Sequence, residues 1–456
     1  DDLSSEYRLS GFDLTKAPLI KLVLVRLADE TYQLIWNFHH LLLDGWSTHQ
    51  VFNEAFTVYE MLVRGQEPFL PPVKPFRIYL AWLKKQDLGA AERFWRETLE
   101  GFTVQTPLNV EKYDTKSGIE YGEVEKELSS TTTTALKLFA QQGRVTLNTV
   151  LQGAWALLLG KYSGEDDVVF GNTFSGRPAN LPGVEQMVGM FITTLPLRVQ
   201  LPDDQLLESW LQQLQERHLA IRDYEYSPLV DVQRWSELPA GQALFDSILV
   251  FENYPVASAN SENSIQVSDI LYREQSNYPL AVLVLPGDRL RLLAIYNRNR
   301  FEENSIGRLL THLQTLLESM VENPQQELRE ISSLTPSERE QLLLTWNDTT
   351  SPEIGSKLLH MYVEEHAAKS PDATAVIAHD RSLTYAELDA RSNTLAHQLI
   401  DRGVRPGTPV GLFVERSAEM LVGIVGILKA GGAYVPLEPT YPAERIAIAL
   451  ADTGAP

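Results

Sequence analysis

The chain has 456 residues, 44% of them apolar, which suits two or three domains with buried cores; it has no cysteine, which excludes thiol chemistry and disulfides. A formal net charge of −21 argues against a polyanionic partner such as nucleic acid, and no apolar run reaches the length that spans a bilayer, so no membrane partner is expected. The lack of cysteine fits a reducing compartment and a cytoplasmic location, while being compatible with export.

Residues 20–27 and 31–38 are rich in Val, Ile, Leu and aromatics, and the polar Ala28-Asp29-Glu30 between them predicts a hairpin. The second strand leads into Phe38-His39-His40-Leu41-Leu42-Leu43-Asp44-Gly45-Trp46-Ser47, where two imidazoles and a carboxylate interrupt an apolar run. Burying such groups costs free energy unless each has a partner or a task, and imidazole is the side chain best placed to exchange a proton near neutral pH. Ser47 and Gln50 then read as a capping box, with Trp46 and Val51 as its hydrophobic staple. Apolar residues at 51, 52, 55, 56, 59, 62 and 63 predict a one-faced helix that stops at Gly65. Asp44 and Gly45 are therefore expected in the loop before the helix, where free N–H groups and the positive dipole end suit a developing oxyanion. Gly45, without a Cβ, lets a substrate approach the main chain. The local pattern leaves three readings open: His40 and Asp44 as satisfied core polars, a metal site with His49, or acid–base and hydrogen-bonding catalysis. The metal reading suffers because adjacent His side chains diverge on a strand.

Beyond a Pro-rich crossing at 68–75, a helix at about 90–99 is expected to finish a first lobe of about residues 1–105. A polar stretch at 110–120 bridges to a second lobe, about 115–333, with helices near 131–142 and 148–162 and strands at 168–173 and 247–251. A hairpin, 280–285 with 290–296, turns at Pro286-Gly287-Asp288, and a helix over 303–321 closes the lobe. Leu334-Thr335-Pro336-Ser337-Glu338 opens a polar linker, 334–357. In the remaining 358–456, Thr384 and Glu387 form a capping box for a helix running to about Leu399 and closing near Gly403. A buried strand at 409–415 and a helix at 417–430 follow, and this alternation implies a parallel α/β arrangement.

His39-His40-Leu41-Leu42-Leu43-Asp44-Gly45 resembles the HHxxxDG signature of condensation domains in nonribosomal peptide synthetases, with Trp46-Ser47 following as in that family. Further family motifs occur in order. Tyr79-Leu80-Ala81-Trp82 resembles one, and residues 188–198, VGMFITTLPLR, resemble another, with Thr193 where Asn is common. Residues 222–229 and 245–254 resemble the last two, with departures in each. Leu383-Thr384-Tyr385-Ala386-Glu387-Leu388 and residues 428–437 resemble the first two motifs of an adenylation domain.

The resemblance implies an α/β fold: a two-lobed, chloramphenicol-acetyltransferase-like condensation domain (1–333, first lobe incomplete), a linker, and the start of an adenylate-forming domain. Motifs expected ahead of the His pair and a phosphate loop at the other end are not found, so both ends read as cut and the segment alone is expected to be inactive. The implied reaction is attack of a carrier-bound aminoacyl amine on an upstream acyl thioester. It needs no metal, ATP or covalent enzyme intermediate. Substrates arrive on phosphopantetheine arms of upstream and downstream peptidyl carrier domains, the other partners being the remaining domains of the synthetase. ATP and Mg serve only a complete adenylation domain. For that reaction His40 is assigned the amine contact, as general base or as orienting partner, and His39, which points the other way if the strand continues, is read as structural. Asp44 is expected to hold the loop through an arginine, either Arg198 or one supplied by the motifs not found ahead of the His pair, and Gly45 N–H is the candidate oxyanion donor. A non-catalytic docking module of the same fold, and ester-forming or epimerising relatives, are the alternatives.

Overall fold

The computed structural model describes residues 10–112, 120–252, 265–267, 276–350, 357–379 and 381–455. Its contacts divide it between Thr345 and Trp346, inside the segment read as linker.

In the first unit the hairpin forms as expected, with β1 (Ile20–Ala28) antiparallel to β2 (Thr31–Phe38) and Ile20 opposite Phe38. Helix α1 (Gly45–Val63) follows, ahead of α2 (Arg77–Leu83) and α3 (Leu88–Thr98). The sequence reading assigns α3 to the first lobe, and the structure corrects this. Ala91, Trp95 and Leu99 join the core of the second lobe, Trp95 is 0% exposed, and its indole N–H donates to Ser227 Oγ at 2.9 Å. An indole this large drives its whole helix onto the bigger core.

That core packs on a six-stranded mixed sheet. Its strands are β3 (Tyr121–Glu127), β4 (Asp167–Phe174), β5 (Thr193–Gln200), β6 (Ser247–Phe251), β7 (Leu280–Leu285) and β8 (Arg291–Asn297). They lie in the order β3-β8-β7-β6-β4-β5, with β4–β6 and β6–β7 parallel and the other pairs antiparallel. β3 is not anticipated by the sequence reading. Its Glu125 and Glu127 give it a polar look, yet they are paired outward with Arg291 and Arg289, as suits an edge strand. Helices α4 (Ser130–Gln142) and α5 (Leu147–Ser163) form where expected, and α5 is buried continuously from Thr149 to Gly160. Helices α6 (Leu207–Arg222) and α7 (Leu229–Trp235) complete the lobe with α8 (Glu303–Glu322).

Helix α9 (Pro336–Leu343) starts with the capping box of Thr335 and Glu338 and has no buried residue among those described. Glu338 ties it to α8. Both Glu338 oxygens lie 3.0 Å from His312 Nε2, and His312 Nδ1 lies 2.8 Å from the Tyr162 hydroxyl. Burial alone would raise the Glu338 pKa, but the Thr335 hydroxyl and amide together with His312 bring it down to about 2. Glu338→Ala should therefore speed amide hydrogen exchange across 336–343 at least tenfold while leaving the sheet unchanged. Equal exchange in the variant would remove this anchoring role.

The second unit begins with α10 (Leu359–Lys369) and the short pair β9 (Thr374–Ile377) and β10 (Ser382–Thr384). The Thr384–Glu387 capping box opens α11 (Tyr385–Asp401) as expected. β11 (Pro409–Phe413), α12 (Ala418–Lys429) and β12 (Ala433–Leu437) make a parallel βαβ unit, with α13 (Ala443–Thr453) after it. The expectation of a buried strand here is met only in part: Leu412 is buried, but Phe413 is 53% exposed. Among the described residues no helix is long and apolar enough to cross a membrane.

Candidate active site at the histidine pair

β2 ends at Phe38, so the two histidines leave the strand in a turn. His39 N donates to Leu19 O at 3.0 Å, Leu41 N donates to His39 Nδ1 at 3.1 Å, and Leu42 N donates to His39 O at 3.0 Å. His39 is thus spent on the turn, half-buried beside Phe12. His40, at its tip, is exposed.

Asp44, 2% exposed, is the N-cap of α1, its Oδ1 accepting from Ser47 N at 2.7 Å. The expected Ser47–Gln50 capping box is corrected by this bond, and Gly45 becomes the first helical residue. A carboxylate already buried outcompetes a hydroxyl two residues inside the helix. Gly45 N–H is among the leading amides that a helix leaves without an intrahelical partner. Ser47 is instead used across the fold: its hydroxyl donates to Gly189 O at 2.8 Å and accepts from Gly189 N at 3.1 Å. Trp46 Nε1 and Gln50 Nε2 donate to Glu185 O and Gln186 O.

The arginine facing Asp44 is Arg177, and the expectation of Arg198 is overturned. Arg177 Nη2 lies 3.3 Å from Asp44 Oδ1 and 2.9 Å from Ser47 Oγ, while Nη1 donates to Val184 O and Met187 O at 2.5 and 2.9 Å. Burial pulls the Arg177 pKa down and Asp44 opposes the shift. Phe191 N donates to Asp44 Oδ2 at 3.1 Å, and the Phe191 ring lies 3.9 Å from the guanidinium. Arg198 lies far along β5, opposite Val169, and pairs with Asp167 at 2.6 Å. Arg177 had only a weak sequence signal, a Gly-Arg-Pro step after a buried strand. Its glycine has a steric reason: Gly176 has φ +62°, and a Cβ there would stand 1.8 Å from Phe191 O.

The other motifs converge on this frame. A Cβ at Gly189 would meet the Phe76 ring at 2.3 Å, which lets α2 close on the loop. Phe76 and Tyr79 then pack on Phe191 with ring centroids 4.9 and 4.6 Å away. Burial, with Glu225 nearby, pushes the Tyr79 hydroxyl up to about 12. Glu225 is itself raised by burial, with Arg222 and the Gly176 amide opposing. Residues 245–254 serve another purpose: Asp246 pairs with Arg300 at 2.6 Å, and Asn253 and Tyr254 lie outside the described residues. His49 Nδ1 is 2.9 Å from Gly45 O, and among the described residues no group of His, Asp and Glu is placed to hold a metal.

Behind the site, His218 on α6 stacks on Phe174 at 4.9 Å, and burial, helped by Arg222 on the same helix, lowers its pKa to about 4. The groups facing it from α5 and β4 are uncharged: Gln152 and Phe174. The unfolded chain, with a His pKa of about 6.5, binds this proton first, so stability is full above pH 6.5 and falls as pH drops toward 4. Between pH 6.5 and 5 this residue should lower stability with a slope of up to about 1.4 kcal/mol per pH unit. A His218→Asn variant with the same slope would contradict the assignment.

Comparison with known proteins places the chain in a family. Residues 2–343 match the Condensation domain family and residues 363–456 match the AMP-binding enzyme family. A linear gramicidin synthase of Brevibacillus parabrevis is 46% identical over 456 residues, covering 99% of this chain and 9% of the relative. Bacitracin synthase 3 of Bacillus licheniformis is 40% identical over 461 residues, covering 98% and 7%. The chain thus spans about a tenth or less of the length of these relatives. Among solved structures, the nonribosomal peptide synthetase FmoA3 bound to AMPPNP superposes with a TM-score of 0.73 at 22% identity, covering 100% of this chain and 49% of that one. The X-domain from teicoplanin biosynthesis gives 0.63 at 22% identity, covering 73% and 79%. The chain belongs to the condensation-domain family of nonribosomal peptide synthetases, followed by the start of an AMP-binding region.

Proposed function

We propose that this chain joins an upstream acyl or peptidyl thioester to a carrier-bound aminoacyl amine, as the condensation step of an elongation module. Residues 1–333 act as the condensation domain, 334–357 as linker and 358–456 as the beginning of an adenylation domain. The observation that carries this reading is an exposed His40 at the tip of a turn whose flanks are fixed by His39 and by the buried Asp44–Arg177 pair. The amine nitrogen attacks the thioester carbonyl, the tetrahedral adduct expels the thiolate, and the proton lost by the amine goes by way of His40 to the departing sulfur. Gly45 N–H, at the start of α1, donates to the oxyanion of that adduct. The substrates come on phosphopantetheine arms of the flanking carrier domains, and ATP with Mg serves the complete adenylation domain.

The test uses the full-length protein with both carriers loaded and follows transfer of the donor acyl group by intact-protein mass spectrometry. Transfer to a carrier-bound amine is the expected result. Transfer only to a hydroxyl acceptor, or inversion of the donor without transfer, would replace this reading with its ester-forming or epimerising relative. A second reading, recruitment without catalysis, is favoured by the likeness to the teicoplanin X-domain, which has also been solved in complex with OxyB. No transfer with correctly loaded carriers would select it.

A further inference from the structure

Three polar side chains from three elements meet behind the turn that carries Arg177. Gln152 Nε2 on α5 lies 2.9 Å from Asn172 Oδ1 on β4 and 3.0 Å from His218 Nδ1 on α6. Asn172 Nδ2 donates to Thr173 O at 3.1 Å, which orients that amide and leaves its oxygen facing Gln152. The Gln152 amide therefore spends one hydrogen on Asn172 and the other on His218. The imidazole must then accept at Nδ1 and carry its proton on Nε2. Gln152 is 0% exposed, and its Oε1 has no partner among the described residues, so the amide is held by its two donated bonds alone. A proton or a carbon at the Nδ1 position would leave a buried N–H with nothing to meet.

The consequence passes to the site through the sheet. The His218 ring lies nearly parallel to Phe174, with an interplanar angle of 19°, and Phe174 is the last residue of β4, paired with Thr193 on β5. Two residues before Thr193 is Phe191, whose amide binds Asp44 and whose carbonyl leaves no room for a Cβ at Gly176. Three residues after Phe174 is Arg177. Phe174, at the end of β4, and Phe191, just ahead of β5, thus flank the Ser175-Gly176-Arg177 turn.

We propose that His218 is a positioning residue: through Gln152, Asn172 and Phe174 it sets the register of the β4–β5 ends, and so the placement of Arg177 against Asp44. This inference rests on the condensation reading only for its kinetic readout. Two variants separate the acceptor from the stacked ring. His218→Phe keeps the ring against Phe174 and removes the acceptor; His218→Asn gives up the ring but returns an oxygen near the Nδ1 position. Each is made in the full-length protein. Transfer is scored per folded molecule, with the folded fraction taken from thermal unfolding, and amide exchange is followed over 175–191.

Turnover of His218→Phe should fall about tenfold or more with KM little changed, since small misplacements of the reacting groups cost that much. His218→Asn should recover most of it. Exchange over 175–191 should quicken in the Phe variant and stay near wild type in the Asn variant. Wild-type turnover and exchange in His218→Phe, or equal impairment in both variants, would overturn the proposal. If the wild type itself forms no amide, the functional reading fails instead. The exchange comparison then decides: quickening confined to the Phe variant supports the role of His218, and any other pattern overturns it.

Discussion

Arg177→Ala is expected to destabilise the first unit by about 3–5 kcal/mol, the usual result of stranding one member of a buried ion pair. Four buried acceptors lose a donor at once: the Asp44 carboxylate, the Ser47 hydroxyl and the carbonyls of Val184 and Met187. Urea denaturation read at constant slope would measure the loss. Arg177→Lys should recover little, because one ammonium cannot reach Asp44, Ser47 and two carbonyls from one position. Asp44→Asn should cost less, since an amide oxygen can still cap α1. The two positions share their partners, so the double variant should be more stable than the sum of the single losses by about 1–3 kcal/mol. Strict additivity would show that the pair contributes through separate contacts.

His40→Ala is expected to do the opposite: stability should change by less than about 0.5 kcal/mol, because the side chain is exposed. Amide formation in the full-length protein should drop by about 10²–10⁴-fold if the imidazole takes the amine proton. An acceptor amine of lower basicity should then recover part of the deficit, and none of it if His40 only orients the amine. A folded His40→Ala protein that condenses at the wild-type rate would remove this residue from the chemistry. The contrast between the two substitutions, one structural and one chemical at the same site, is its clearest experimental signature.

Local elements were readable because their causes are local. The hairpin of 20–38, helices α4, α5 and α8, and the capping box at Thr384 and Glu387 each follow from side-chain period and end chemistry within a dozen residues. β3 hid its apolar positions among glutamates that are paired across the sheet with arginines far along the chain. α3 looked like the close of the first lobe because nothing near it in sequence shows where Trp95 will be buried.

The site divides along the same line. The chain by itself carried the candidate chemistry: an imidazole pair, a carboxylate and a glycine within seven residues, in the order of a condensation signature. Only tertiary structure decided which arginine meets Asp44, that Asp44 rather than Ser47 caps α1, and that His39 is spent on its turn while His40 faces outward. A buried charge takes as partner whichever donor the packed strands deliver. That choice depends on contacts between Asp44 and residues 133 to 147 positions away, which no local pattern encodes.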